Sequence, residues 1–534
     1  MKKQTKGIIF TIVFGGGLLF WATAASMPGA MQDNMSAATF TGTPADNFPD
    51  VQRAQYCGTG EASSSRFITE YKIPTDCTQP LAITTDPDGN VWFAQVNTGR
   101  IAKFDPATEE FAEYDNPRWP QQGRSMFWGI DYHEGELWYT DEAYDSIWKY
   151  SVENGTYDRL DYPASDDSLP QKIEVSEERI IINDFTGGKI TFLGMEGEAS
   201  EYEEFPVPVN ATLSDTGDAI HGYDLPSPVN YSLAGDFGLD AAGNIWYTNW
   251  IFQGSGVLVR FDPDGYSANA SAADYLRVYE LPADMETPNG AAVGPDGRIW
   301  IADTSSSFFF SFDPIFGGFT KYVTSGLQES SYGNATGVIR DPVSRPYWME
   351  VDDSGRLVFN EQTANRLGVF DPAEEMLVEY TIPSKNPNWA DCGENTDCGL
   401  AQTFGIALDG EKVWFTEWVE NNIGVLDTSV PLPYEIEVGG EITVPRDGTA
   451  EISFTVVPLG GSSGKVRMVA ADTAAFRDIV IEPDVLELGE LDGPRTIDLT
   501  INTGSFAIKG THKVLLGVQD DDVSVSRYVT VNIV

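Results

Sequence analysis

Between residues 66 and 430 the apolar positions come in short runs of strand length, not in the 3.6-residue rhythm of a helix. Val91-Trp92-Phe93, Leu137-Trp138-Tyr139, Ile180-Ile181-Ile182, Ile245-Trp246-Tyr247, Ile299-Trp300-Ile301, Leu357-Val358-Phe359 and Val413-Trp414-Phe415 are all of this kind. Most follow a turn containing Asp and Gly. Two places beyond each run stands a polar residue: Gln95, Asp141, Asp184, Asn249, Asp303, Glu361 and Glu417. Strands flank these runs with alternating patterning, many ending in Phe-Asp-Pro and then continuing into Glu-Tyr-x-x-Pro, so the unit holds about four short strands.

The unit recurs seven times at a spacing of roughly 40–60 residues. Its clearest copies are TDPDGNVWFAQVNTGRIAKFDPATEEFAEY from Thr85, GPDGRIWIADTSSSFFFSFDP from Gly294 and DDSGRLVFNEQTANRLGVFDPAEEMLVEYTIP from Asp352. Four-stranded units repeated around an axis are β-propeller blades, since one twisted blade cannot bury both faces alone and stacking leaves few free edges. The seventh unit stops after its third strand, at Ile423–Thr428. A matching fourth strand, FITEYKIP from Phe67, precedes the first unit. This strand is expected to complete the last blade and close the ring.

The D-P-D-G-N-V-W-F and I-G-x-F-D-P motifs make residues 67–430 resemble the virginiamycin B lyase family of propellers, and more distantly gluconolactonase-type and NHL-type propellers. The resemblance implies a propeller with its site on the top face. In the lyase family that site uses histidine and glutamate with Mg²⁺ to open a cyclic peptide by elimination. This chain departs from that pattern. It has three histidines: His133 falls in a turn on the expected bottom face, His512 lies beyond the propeller, and only His221 sits in a top loop. The lyase's motif residues therefore do not carry over.

Residues 431–534 change character. They lack Trp and Cys and contain about seven alternating strands, the pattern of an immunoglobulin-like sandwich. They resemble the Ig-like modules of cell-surface proteins, which serve as spacers or docking units. At the other end, Lys2, Lys3 and Lys6 precede an uncharged run from Gly7 to Ala25, long enough to anchor in a membrane and also readable as a signal with Ala22-Thr23-Ala24 as cleavage site. The fold class read from sequence is thus all-β: a seven-bladed β-propeller (66–430) followed by an Ig-like β-sandwich (431–534), with an N-terminal transmembrane anchor or signal helix (1–25) and a linker (26–65).

Charge and cysteine narrow the function. The 81 acids outnumber 33 bases, giving −48, which excludes nucleic acid as a partner because phosphate binding needs clustered Lys and Arg. Acid clusters such as Asp520-Asp521-Asp522 suggest Ca²⁺ or Mg²⁺ capture. Cys57, Cys77, Cys392 and Cys398 form an even set, read as disulfides Cys57–Cys77 and Cys392–Cys398 in an extracytoplasmic protein, anchored or secreted. Sequons at Asn34, Asn154, Asn210, Asn230, Asn269 and Asn334 fit a glycoprotein on the outside.

The candidate site is the top of the wheel. Acids and amides there are joined by aromatic residues, and the ligand-binding set is Trp128, Asp141, Asp184, Asn249, Trp250, Asp303, Trp348, Glu361, Phe404, Glu417 and Trp418, with a metal at Asp303, Glu361 and Glu417 as the cofactor reading. Seven groups on a ring of about 11 Å radius stand roughly 9–10 Å apart, whereas Ca²⁺ takes oxygens at about 2.3–2.6 Å, so the ring as a whole cannot hold one ion. A structural alternative has each polar end accepting hydrogen bonds from nearby backbone. Three functions follow: recognition or scaffolding of a surface ligand or envelope protein, a divalent-metal-dependent lyase or lactonase-like hydrolase, or a structural subunit of an envelope complex.

Overall fold

The computed structural model describes residue 58 and residues 60–534, except 121–122, 163–167, 177–178, 195–202, 207–232, 252–255, 267–269, 335–341, 395–396 and 476. The N-terminal anchor, Cys57, His221 and the sequons at Asn34, Asn210, Asn230 and Asn269 lie outside the described residues; Asn154 and Asn334 are exposed. No helix among the described residues is long and apolar enough to cross a membrane. The chain divides into two compact units, one holding Pro74–Pro206, the other Gly58–Ile73 and Val207–Val534. The first described strand, β1 (Ile68–Lys72), belongs to the second unit.

The first unit contains three four-stranded antiparallel sheets. They are Pro80–Thr85, Val91–Gln95, Arg100–Asp105 and Glu110–Tyr114 (β2–β5); Ile130–His133, Glu136–Asp141, Ser146–Ser151 and Thr156–Asp161 (β6–β9); and Pro170–Val175, Arg179–Asp184, Lys189–Gly194 and Glu203–Pro206 (β10–β13). The second unit continues with Leu233–Leu239, Ile245–Trp250, Gly256–Phe261 and Leu276–Glu280 (β14–β17); Pro288–Val293, Ile299–Asp303, Phe308–Asp313 and Gly318–Val323 (β18–β21); Pro346–Val351, Leu357–Glu361, Arg366–Asp371 and Met376–Thr381 (β22–β25); and Thr403–Asp409, Lys412–Glu417 and Asn422–Asp427 (β26–β28). Each sequence repeat is therefore one sheet. The seventh takes its fourth strand from the start of the chain: β1 pairs antiparallel with β28, Ile68 opposite Leu426 and Lys72 opposite Asn422.

The repeated motifs have local physical reasons. In the turn before the second strand, the Asp86 carboxylate accepts from the backbone N–H groups of Asp88 (3.0 Å) and Asn90 (2.9 Å), and from the Trp92 indole (2.8 Å). Asp240 does the same for Ala242, Asn244 and Trp246. Gly89 completes the bracket because its φ of +80° is open to glycine at little cost. The Phe-Asp-Pro motif closes the next hairpin. Asp105, Asp313 and Asp371 each accept from the N–H two residues on, at 2.8, 2.8 and 2.9 Å, an Asx turn.

The C-terminal strands are Tyr434–Val438, Glu441–Val444, Thr449–Pro458, Val466–Asp472, Ile479–Glu482, Glu487–Gly489, Arg495–Thr503, Gly510–Gln519 and Val523–Ile533 (β29–β37). One sheet runs β29-β31-β35-β33; the other contains β37, β36, β32 and β34, with β30 beside β37. This second sheet does not stop at the domain. Its strand β37 pairs antiparallel with β25, from Met376 opposite Arg527 to Tyr380 opposite Val523. The outer edge of the sixth sheet is thereby covered, which removes a row of free backbone groups. The core is continuous to match: Val378, Phe415, Leu426, Phe454, Val518 and Val531 belong to a single cluster. The C-terminal domain, expected from sequence to be an Ig-like spacer or docking unit, joins the sixth sheet through backbone hydrogen bonds and a common core.

Candidate functional site

The aligned strand-end residues Gln95, Asp141, Asp184, Asn249, Asp303, Glu361 and Glu417 all show 0% exposure. Each works within its own sheet. Asp141 accepts from Ser125 Oγ (2.5 Å), Trp148 Nε1 (2.8 Å) and Tyr144 N (3.2 Å). Asp184 takes Leu169 N at 2.7 Å and Gly187 N at 2.9 Å, and Asp303 takes Thr287 N at 2.8 Å. Asn249 donates to Leu233 O at 3.0 Å. The residue before the ring position reaches the next sheet: Thr140 Oγ1 donates to Gln171 O at 2.7 Å, and Asn360 Nδ2 to Phe404 O at 2.8 Å. One residue ties down its own loop and the preceding one staples a neighbour.

Sequence alone did not reveal that these residues meet the glutamate of the Glu-Tyr motif on the fourth strand. Gln95 Nε2 donates to Glu113 Oε1 at 2.5 Å. In the sixth sheet Arg366 lies between Glu361 (2.8 Å) and Glu379 (3.2 Å), with all three side chains at or below 1% exposure. In the seventh, Glu417 has Glu70 of β1 as a hydrogen-bonding neighbour and accepts from Asn422 Nδ2 at 2.8 Å. Burial raises the Asp141 carboxyl to about 6, against the pull of Ser125 and Trp148. Burial also raises Glu361; Arg366 opposes it and Glu379 adds to it, so one guanidinium serves two carboxyls and one of them keeps a proton. Glu417 is held well above the carboxylate range by burial and then by Glu70.

The structure does not bring Asp303, Glu361 and Glu417 together, because each closes a separate sheet on separate partners. Among the described residues no group of three or more His, Cys, Asp or Glu side chains is arranged to hold a metal ion. Trp128, Trp250, Phe404 and Trp418 are buried, and Trp348 is partly buried. The Trp128 indole donates to Glu142 at 2.7 Å, and Phe404 meets Trp418 edge-on at 5.8 Å. These rings fill interior space. Cys392 and Cys398 form a disulfide, and Cys77 is also disulfide-bonded.

A cavity of about 530 Å³ opens elsewhere in the second unit. Ser64 and Ser65 ahead of β1, the end of β25 at Thr381–Pro383, and Arg467, Asp521 and Asp522 of the C-terminal domain all line it. Gln328–Ser330, Lys385 and Asp397 complete it, so every lining residue but Ile382 and Pro383 is polar. Lys385 pairs with Asp397 at 3.5 Å. Burial, followed by Asp520 and Asp521, raises the Asp522 carboxyl. No sequence motif pointed here, because the lining comes from segments more than 300 residues apart; the Asp520-Asp521-Asp522 run was the one visible trace.

No family model matches the sequence, and no curated protein matches it. Among solved structures the chain is similar to selenomethionine-substituted virginiamycin B lyase from Staphylococcus aureus, at 20% identity and a TM-score of 0.48, over 67% of this chain and 98% of that one. It is similar to a streptogramin B lyase at 21% identity and 0.48, over 67% and 97%. Regucalcin, a calcium-binding protein from Agrobacterium tumefaciens, follows at 12% and 0.32, over 67% and 93%.

Proposed function

We propose that the seven sheets are the blades of one β-propeller closed by β1, that the C-terminal domain is an Ig-like sandwich, and that the protein recognises a polar ligand outside the cytoplasm, held to the membrane or secreted. The β25–β37 pairing carries this reading. It fixes the C-terminal domain against the sixth sheet and so builds the 530 Å³ cavity from parts of both. A rigid, solvent-open cavity with hydroxyls, carboxylates, a guanidinium and an ammonium suits a hydrophilic ligand such as an envelope glycan, since preorganised polar groups fix orientation. Its lining contains no aromatic residue and too little apolar surface for a lipid or a hydrophobic drug-like molecule.

The test is binding of purified protein to arrayed cell-envelope glycans, with Arg467→Ala and Asp521→Ala as variants. Saturable binding that either variant weakens about tenfold or more, as expected for a hydrogen bond from the ligand to a charged group, supports the reading. Binding unaffected by both refutes this cavity as the site. The metal-dependent lyase or hydrolase reading has its own measurement: a stoichiometric divalent ion in the purified protein that Glu361→Ala with Glu417→Ala removes.

A further inference from the structure

One acid pair, Glu70 and Glu417, joins a strand-end acid to the walls of the cavity. Glu70, in the middle of β1, accepts from Ser63 N at 2.7 Å, Ser384 N at 2.9 Å and Ser384 Oγ at 2.5 Å. Ser63 adjoins the lining residues Ser64 and Ser65, and Ser384 lies between the lining residues Pro383 and Lys385. One carboxylate therefore pins both the N-terminal arm and the loop after β25. Its other neighbour is Glu417, fully buried, whose Oε1 meets no N–H or hydroxyl donor among the described residues. With no cation at the pair among the described residues, Glu417 keeps a proton beside Glu70, because like charges at close range in a desolvated site cannot both persist.

Among the described residues, the charged groups around the pair do not replace that proton. Glu420, in the turn before β28, adds a third acid. Lys72 of β1 gives its ammonium to the backbone oxygen of Glu420 at 2.8 Å, and Lys385 pairs with Asp397.

We propose that the Glu70–Glu417 pair is a proton-dependent latch on the cavity: with the shared proton present, Glu70 holds both walls in place, and with the proton lost, repulsion between the two carboxylates releases Ser63 and Ser384 and loosens the walls. This rests on the cavity being the recognition site, but the latch itself is measurable without a ligand. The pair lies where the closing strand joins the last sheet, so its least costly relief is a shift of the short arm ahead of β1 and the 383–385 loop, not the strand ladder behind them.

The measurement is site-resolved amide hydrogen exchange of the intact protein from pH 5 to pH 10, with each rate divided by the intrinsic rate at that pH. The Ser63 and Ser384 amides are expected to keep constant protection at the acid end, then lose up to about tenfold per pH unit once the proton leaves. Amides of β25 and β37 should stay flat across the range. Glu417→Gln keeps the hydrogen bond without the charge, so its two serine amides should stay protected throughout. Glu70→Gln should abolish the pH dependence from the other side. Wild-type protection that is flat in pH, or Glu417→Gln retaining the wild-type profile, overturns the latch. Restoration of protection at high pH by millimolar CaCl₂ alone also overturns it, in favour of a cation site. A failed glycan array with an intact exchange profile would count against the ligand reading and leave the latch standing.

Discussion

Arg366→Met is the sharpest test of the buried charge network, because every contact of the guanidinium is internal. Arg366 gives Nη1 to Ser325 Oγ (2.5 Å) and Nη2 to Ser325 O (2.9 Å), and Nη2 also lies 2.8 Å from Glu361 and 3.2 Å from Glu379. Methionine fills much of the volume but removes the single cation serving two carboxyls. Breaking a buried pair by deleting one partner costs about 3–5 kcal/mol, and that is the expected loss at pH 8. The loss must shrink in acid. The native wild type keeps about one proton on the two carboxyls; the native variant must keep two. Glutamate in the unfolded chain titrates near 4.3, so above that pH the variant's native state binds one more proton than its wild-type counterpart, while the unfolded states bind the same number. A group raised on folding is stabilising only on the acid side, and the native state loses stability as pH rises from the unfolded value toward the folded one. That difference is about 1.4 kcal/mol per pH unit, so from pH 7 to pH 5 the variant should recover roughly 2–3 kcal/mol relative to wild type. Urea denaturation of both proteins at pH 5, 6, 7 and 8, followed by tryptophan fluorescence, measures it. A penalty independent of pH, or one below about 1 kcal/mol at pH 8, would refute the shared-cation account.

Three further outcomes follow from other contacts. Asp86→Ala leaves the Asp88 and Asn90 amides and the Trp92 indole without their common acceptor; it should cost about 1–3 kcal/mol, with a shift in tryptophan emission that Asp86→Asn partly restores. Deleting residues 1–73 removes β1 and exposes the edge of β28, so the truncated protein should self-associate on sizing columns while the full chain does not. Ser526→Pro removes a ladder donor opposite Leu377; a loss of about 3 kcal/mol or more, with faster hydrogen exchange in β25 and β37 together, is expected, and exchange confined to β37 would count against the shared sheet.

Much of the architecture was legible in the chain. The period-two runs, the Asp-x-x-Gly turns and the Phe-Asp-Pro hairpins act within about six residues, so the sequence determined where the strands begin and end. It also determined that Phe67–Pro74 completes the last sheet, since that strand carries the same Glu-Tyr-x-x-Pro pattern as the other fourth strands. Local pattern does not specify what happens beyond a sheet's own hairpins. Only the tertiary structure decided that the strand-end acids are interior and already engaged, that Glu417 meets Glu70 and Glu361 meets Glu379, and that β37 extends the sixth sheet into the C-terminal domain. The physical reason is that a carboxyl's role depends on its burial and on which partner reaches it, and those partners stand from 18 residues away, as between Glu361 and Glu379, to more than 300, as between Glu70 and Ser384.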